Sequence, residues 1–138
     1  MMNSLVFIVE DERHIKNLLA KYLEREGISF IEASNLDDAV ELFKHNEELI
    51  TYIALDGNLG SVERNNPETL VLAKMIARSH KFKGKVLAMS STPDCNKTLK
   101  HAIGTRCEIF DDSTMFIKIH VIKEIVHRIK EKRKAAQS

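Results

Sequence analysis

The sequence is poor in cysteine, proline, glycine and aromatic residues. Its 138 residues include two cysteines, two prolines, five glycines and no tryptophan. Cys95 and Cys107 lack the spacing of a metal or redox motif, so we expect two free thiols. The sequence also lacks an apolar run long enough to cross a bilayer and a basic leader at its start. We therefore expect a cytoplasmic protein that makes no contact with a membrane.

Neither sign of charge is in excess, because 21 basic residues face 20 acidic ones and the net charge is +1. Proteins dedicated to nucleic acids are usually clearly basic, so this class of function is disfavoured. A chain of 138 residues is long enough for a core that needs no metal or disulfide, and the hydrophobic fraction of 43% is typical of globular proteins. We expect one domain, residues 1–130, followed by a short basic tail, 131–138, that frays.

Short apolar runs alternate with amphipathic segments along the chain. The run Leu5–Val9 is apolar throughout, which is typical of a strand covered on both faces. Further strands are predicted near 29–33, 51–55, 85–89 and 106–110, each followed by a helical pattern. This alternation predicts an α/β fold, in which a parallel five-stranded sheet lies between two layers of helices.

Three helix features follow from local patterns. Ser34 is predicted to cap the second helix, and Asn66 followed by Pro67 is predicted to start the third. In the last helix, the residues predicted to form the main apolar stripe are Met115, Ile119, Ile122, Ile125, Val126 and Ile129. Ile117 and Val121 lie off this stripe. These two side chains are therefore expected either to pack on the fourth helix or to form part of a partner surface.

Polar side chains follow three of the predicted strands. Glu10 and Asp11 follow the first strand, Asp56 follows the third, and Ser90 follows the fourth. Because the carboxyl ends of parallel strands share one edge, we expect these residues to lie together. Each alone could be a helix cap or an ordinary strand end. Together they predict an Mg²⁺ site, since converging carboxylates repel unless a cation or proton separates them.

The opening segment 6–27, VFIVEDERHIKNLLAKYLEREG, and the strand-end residues closely resemble the receiver domains of bacterial two-component response regulators. The resemblance covers nearly the whole chain. It implies a flavodoxin-like (βα)₅ fold with strand order 2-1-3-4-5. It also implies a phosphorelay protein rather than an enzyme, with a sensor histidine kinase or phosphotransfer protein and a downstream protein as partners. A homodimer through the fourth helix, fifth strand and last helix is a further implication.

The same resemblance assigns roles to individual residues. Asp56 matches the phosphoacceptor, and Ser90 matches the hydroxyl that donates to the phosphoryl group. The Mg²⁺ ligands would be the carboxylates of Glu10, Asp11 and Asp56 together with the backbone carbonyl of Asn58.

Other positions depart from the family pattern. The lysine that follows the fifth strand in receivers falls on Asp111, and the proline after it falls on Asp112. The aromatic switch residue of the fifth strand falls on Glu108. Lys118 is expected in the turn into the last helix rather than in the pocket. These departures favour an alternative, a pseudo-receiver that acts as a protein-protein interaction module without phosphorylation.

A third class is an Mg²⁺-dependent enzyme. Glu10 and the Asp56-Gly-Asn58 segment loosely resemble Toprim nucleases and haloacid-dehalogenase-type phosphatases. Those enzymes usually need two aspartates separated by one residue, and Asn58 does not complete such a pair. The sequence therefore disfavours this class.

Overall fold

The computed structural model describes residues 3–57, 68–110 and 116–137, in which strands and helices alternate. The strands are β1 (Leu5–Val9), β2 (Ser29–Ala33), β3 (Tyr52–Leu55), β4 (Lys85–Ala88) and β5 (Cys107–Ile109). The helices are α1 (Arg13–Arg25), α2 (Leu36–Asn46), α3 (Leu70–Arg78), α4 (Pro93–Ile103) and α5 (Ile117–Gln137). The predicted alternation of strands and helices is confirmed.

All strands belong to one parallel sheet with the order β2-β1-β3-β4-β5, as predicted. β1 lies between β2 and β3, so that Val9 is level with Ala33 on one side and with Leu55 on the other. The next residues along β1 and β3, Glu10 and Asp56, therefore leave the sheet side by side. The pairing of the strands is therefore enough to place these two acidic residues side by side at one edge of the sheet.

Two hydrophobic clusters cover the two faces of the sheet. Along β1, Phe7 and Val9 pack in a cluster with residues of α2, α3 and α4. Val6 and Ile8 point the other way, into a cluster with residues of α1 and α5. Because both faces are covered, β1 is apolar at every position, which is the pattern that the sequence shows.

The buried face of α5 differs from the predicted stripe. Ile117 and Val121 are fully buried, whereas Ile119 is only partly buried. The proposal that the first two form a partner surface is therefore wrong. They do not pack on α4 either, because α5 lies beside α1 and β3 on the opposite side of the sheet.

The start of α2 also differs from its prediction. The cap is Asn35, whose Oδ1 accepts a hydrogen bond from the backbone N–H of Asp38 at 2.8 Å. The predicted cap, Ser34, instead accepts a hydrogen bond from the ammonium of Lys16 on α1. Since both residues have capping side chains, the local pattern did not decide between them.

Three further features concern the end of the chain, the character of its helices and its cysteines. Residues 131–137, which were predicted as a basic tail, are the exposed last part of α5. No helix in the described ranges is long and apolar enough to cross a membrane. Cys95 and Cys107 are both buried, and neither forms a disulfide within the described residues.

Candidate functional site

The acidic corner after β1 divides into two parts. Glu12 caps α1, because its carboxylate accepts hydrogen bonds from the N–H groups of His14 at 3.3 Å and Ile15 at 2.8 Å. Glu10 is completely buried, and its Oε2 accepts a hydrogen bond from the Glu12 N–H at 3.0 Å. Asp11 is exposed beside it. Helix capping therefore accounts for Glu12 alone, and Glu10 and Asp11 are left for the site.

Asp56 is buried at the end of β3, where its backbone N–H donates to the Val9 carbonyl at 3.1 Å. The backbone just after β3 is held by Thr69, which is also fully buried. The Thr69 hydroxyl lies 2.8 Å from the Asp56 carbonyl and 3.0 Å from the Gly57 carbonyl, and it donates to both. The Thr69 N–H donates to the Gly57 carbonyl as well, at 3.2 Å. Thr69 therefore holds in place the backbone of Asp56, the phosphoacceptor candidate.

Thr69 is also the residue directly before α3. The helix begins at Leu70, and Glu68 and Thr69 form a turn before it. The described part of α3 thus starts later than the predicted start at Asn66 and Pro67, and the Thr69 N–H bonds back to Gly57 after β3. Residues 66 and 67 themselves lie outside the described residues.

Glu10, Asp11 and Asp56 form a group that fits a divalent cation. Each offers one carboxylate oxygen, and these oxygens all lie within 4.8 Å of one another. A set of carboxylate oxygens suits Mg²⁺, which binds hard oxygen ligands. Asn58, the predicted fourth ligand, lies outside the described residues. The structure thus brings the three predicted acidic ligands together.

A cation of the chain itself lies among these carboxylates. Lys118 Nζ is 2.5 Å from Glu10 Oε1 and 3.1 Å from Asp56 Oδ2. The expectation that Lys118 stays away from the pocket is therefore wrong. The lysine lies in the first turn of α5, which packs against the sheet and brings the side chain to this edge. Asp111 and Asp112, the positions where the family's Lys-Pro was expected, lie outside the described residues.

Burial sets the protonation of the cluster. Burial raises the pKa of Glu10 to about 7, and the charge of Asp56 adds to this effect while Lys118 opposes it. Burial likewise raises the pKa of Asp56 despite the nearby Lys118. Burial disfavours the charged form of Lys118, but Asp56 and Glu10 outweigh it and raise the pKa of the lysine. Near neutral pH, Lys118 is therefore charged and lies between two carboxyl groups whose pKa values are raised.

Ser90 stands at the end of the neighbouring strand. The pairing of β3 with β4 continues one step beyond β4, because the Met89 N–H donates to the Leu55 carbonyl at 2.9 Å. Ser90 follows at once and is buried. Its Oγ accepts a hydrogen bond from the Thr92 N–H at 3.1 Å, and a hydroxyl can still donate when it accepts. The predicted serine therefore lies at the same edge of the sheet as Asp56.

The backbone of Ser90 is held by Asn96, a buried residue of α4. Asn96 Oδ1 accepts from the Ser90 N–H at 3.0 Å, and Asn96 Nδ2 donates to the Ser90 carbonyl at 2.8 Å. An asparagine near a helix start is usually interpreted as a cap or a solvated side chain. The only feature of the sequence that could have indicated its contact with Ser90 is its position six residues further along the chain.

Glu108, at the position of the expected aromatic switch, forms an ion pair. Its two carboxylate oxygens accept hydrogen bonds from Arg128 at 2.6 and 2.7 Å. Arg128 also donates through Nε to Glu124 at 2.7 Å. The hydrogen bonds from Arg128 lower the pKa of Glu108. A charged contact between β5 and α5 thus lies at the position where the resemblance led us to expect an aromatic ring.

No protein-family model and no curated protein sequence matches the chain. Solved structures do. The chain is similar to a response regulator receiver protein from Pseudomonas putida, with a TM-score of 0.65 and 17% identity over 93% of this chain and 98% of that one. The fold is that of a response regulator receiver domain.

Two other similar structures were solved with a partner protein or with bound groups. A Saccharomyces cerevisiae receiver domain, solved with a histidine phosphotransfer signaling protein, matches with a TM-score of 0.62, 18% identity, and coverage of 90% and 86% of the two chains. A response regulator from Burkholderia pseudomallei, with a phosphorylated aspartic acid, calcium ion and citrate, matches with a TM-score of 0.62, 16% identity, and coverage of 99% and 76%. These likenesses establish the receiver fold of the chain.

Proposed function

We propose that this receiver fold accepts a phosphoryl group on Asp56 from phosphohistidine and passes the signal to a downstream protein. The arrangement around Asp56 carries the proposal. A buried carboxylate has a lysine at 3.1 Å and two further acidic residues with oxygens close enough to share a divalent cation. Holding carboxylates this close together in a buried position is energetically unfavourable, which favours a functional role for the cluster.

The residues of the chain have distinct parts in this reaction. An Asp56 carboxylate oxygen attacks the phosphorus, the bond to the imidazole nitrogen breaks, and the imidazole leaves with the electron pair. Lys118 opposes the rise in the pKa of Asp56 that burial causes, and it pairs with a phosphoryl oxygen after transfer. Ser90, one strand away, donates its hydroxyl to another phosphoryl oxygen.

Glu10, Asp11, Asp56 and the backbone carbonyl of Asn58 would hold Mg²⁺. When bound, the ion neutralises charge on the phosphoryl oxygens. The clustered oxygens of the first three residues support this assignment, because three neighbouring carboxyl groups have only the single charge of Lys118 to offset their mutual repulsion.

The proposed partners follow from the same site. Phosphohistidine on a sensor kinase or a phosphotransfer protein is the donor, and the yeast receiver domain solved with a histidine phosphotransfer signaling protein supports this class. A cytoplasmic location and a homodimer through α4, β5 and α5 remain predictions.

The second candidate is a pseudo-receiver that binds a protein partner without being phosphorylated. The Glu108–Arg128 ion pair favours it, because a doubly hydrogen-bonded carboxylate cannot swing between buried and exposed positions as an aromatic ring can. The Asp56 pocket opposes it, because Lys118 supplies the cation whose absence would have disabled the site.

Phosphorylation distinguishes the two candidates directly. The protein is incubated with Mg²⁺ and acetyl phosphate, then with a phosphohistidine-carrying protein, and its intact mass is measured. We expect a gain of one phosphoryl group in wild type and none in Asp56→Asn. Asp37→Asn, an exposed position on α2, is the matched control and keeps the gain. Absence of a gain with both donors would establish the pseudo-receiver.

A further inference from the structure

Asn96 pairs with Ser90 in the way that a neighbouring strand would. Its side-chain amide accepts from the Ser90 N–H at 3.0 Å and donates to the Ser90 carbonyl at 2.8 Å. Asn96 is 2% exposed and Ser90 is 3% exposed, so water does not compete for these groups. Both polar groups of one backbone residue are therefore satisfied by one side chain from a different element.

The position of Ser90 explains why such a side chain is needed. β4 ends at Ala88, and the last strand-like hydrogen bond of the β3–β4 pairing is made by Met89. The buried N–H and carbonyl of Ser90 lie beyond the end of the sheet, so strand pairing does not supply their hydrogen bonds. Leaving a buried backbone group unpaired costs about 1–3 kcal/mol. Asn96 removes this cost and in doing so attaches Ser90 to α4.

A short ring of hydrogen bonds completes the attachment. The Thr92 N–H donates to Ser90 Oγ at 3.1 Å, and the Thr92 carbonyl accepts from the N–H of Asn96 at 3.4 Å and of Cys95 at 3.1 Å. Thr92 is the residue before α4, and Asn96 lies in its first turn. The two-residue connection after Ser90 therefore has little freedom to absorb a movement of the serine.

The other side of the pocket is connected differently. Glu108 on β5 is bonded to Arg128 on α5, which also holds Glu124. These contacts tie β5 to α5 and do not include Ser90. Among the hydrogen bonds of the described residues, those of Ser90 lead into α4 and its N-terminal turn.

We propose that Asn96 is a positioning residue that makes Ser90 and the first turn of α4 move together when Asp56 receives a phosphoryl group. The inference rests on the proposed function, because it needs the Ser90 hydroxyl to be drawn toward a group on Asp56. Two short hydrogen bonds to the serine backbone convert that movement into a displacement of α4. The output surface of this receiver is then the start of α4 rather than β5.

The test uses the full chain labelled with ¹⁵N, with beryllofluoride and Mg²⁺ as the phosphoryl mimic. Amide shifts are recorded at Gly57, which reports on the pocket, and at Leu99 and Ile103, which report on α4. In wild type we expect shifts at both places. In Asn96→Ala we expect the Gly57 shift to persist and the α4 shifts to be lost.

Two further variants separate positioning from general damage. Asn96→Asp has the same shape and keeps the acceptor for the Ser90 N–H, so we expect it to retain part of the α4 shift. It also carries the test if Asn96→Ala does not fold. Asn46→Ala removes a side-chain hydrogen bond to the Leu42 carbonyl, at the far end of α2, and should leave both responses as in wild type.

The outcomes separate this inference from the proposed function. Wild-type shifts at Gly57 together with undiminished α4 shifts in both Asn96 variants would overturn the role of Asn96 alone. Absence of any shift at Gly57 in wild type would overturn the phosphoacceptor function and the role of Asn96 with it.

Discussion

The ammonium group of Lys118 lies 3.1 Å from the carboxylate of Asp56, and the same group lies 2.5 Å from Glu10. One partly buried cation thus serves two buried carboxylates. Removing one partner of a buried ion pair leaves an uncompensated charge, which is strongly unfavourable. The state of this pocket therefore depends on Lys118, on pH and on any cation that competes with the lysine.

Replacing the lysine should destabilise the metal-free protein. We expect Lys118→Met to lower the free energy of unfolding by about 3–5 kcal/mol at pH 8, because both carboxylates then lack a partner. At pH 5 the loss should be smaller, since Glu10, whose pKa is about 7, is protonated there. Urea unfolding in the presence of a chelator measures both values. Lys123→Met, an exposed position on α5, is the control, and an equal loss in the two variants would contradict the prediction.

The same substitution should have opposite effects on Mg²⁺ binding and on phosphorylation. Lys118 competes with a divalent cation for Glu10, so Lys118→Met should bind Mg²⁺ more tightly, by about tenfold or more. Phosphorylation of Asp56 should become slower, because no lysine pairs with the phosphoryl oxygen. Mg²⁺-dependent thermal stabilisation and the rate of mass gain with acetyl phosphate report the two effects. A parallel loss of both would show that the lysine only supports the fold.

The free energy of unfolding should decrease as the pH rises, because buried Glu10 has a raised pKa in the folded protein. Its pKa is about 7 in the folded protein against an ordinary value of 4.5, so the folded state holds this proton more tightly than the unfolded state does. The resulting stabilisation is complete below the ordinary value and is lost as the pH rises through 7, by roughly 3 kcal/mol. Glu10→Gln should remove most of this fall.

Urea unfolding between pH 4.5 and 8, without metal, tests the prediction. Glu48→Gln, an exposed position, should keep the wild-type pH dependence. Added Mg²⁺ should reverse the trend above pH 7, because bound cation favours the ionised carboxylates. A flat wild-type profile would mean that Glu10 titrates at its ordinary pKa.

The fold and the acidic part of the site were accessible from the sequence because they depend on local signals. The apolar strand Leu5–Val9 is recognisable from its composition, and it fixes where Glu10 and Asp11 leave the sheet. The same argument places Asp56 and Ser90, because parallel strands end at one edge. The resemblance to receiver domains added the strand order, which the structure confirms.

The parts that were missed depend on side chains that reach across the fold. Lys118 is 62 residues from Asp56 and 108 from Glu10 in the sequence. The resemblance to the family instead placed the lysine position on Asp111. Only the packing of α5 decides which residue of its first turn reaches the edge of the sheet.

Thr69 provides the last prediction, because it was missed for the same reason and its contacts are specific. Thr69→Val keeps the shape but removes the hydroxyl that donates to the carbonyls of Asp56 and Gly57. We expect a loss of about 1–3 kcal/mol in the free energy of unfolding, because these acceptors are buried. Phosphorylation of Asp56 should also slow, since the backbone behind the carboxylate is less fixed.

The matched control is Thr98→Val, which removes the same group from the surface of α4. The Thr98 hydroxyl donates to the Asp94 carbonyl at 3.0 Å in an exposed position, where water replaces it. We expect this variant to change stability by no more than about 0.5 kcal/mol and to be phosphorylated as fast as wild type. Equal effects of the two substitutions would show that Thr69 contributes nothing beyond an ordinary hydroxyl, and that the end of β3 holds Asp56 without it.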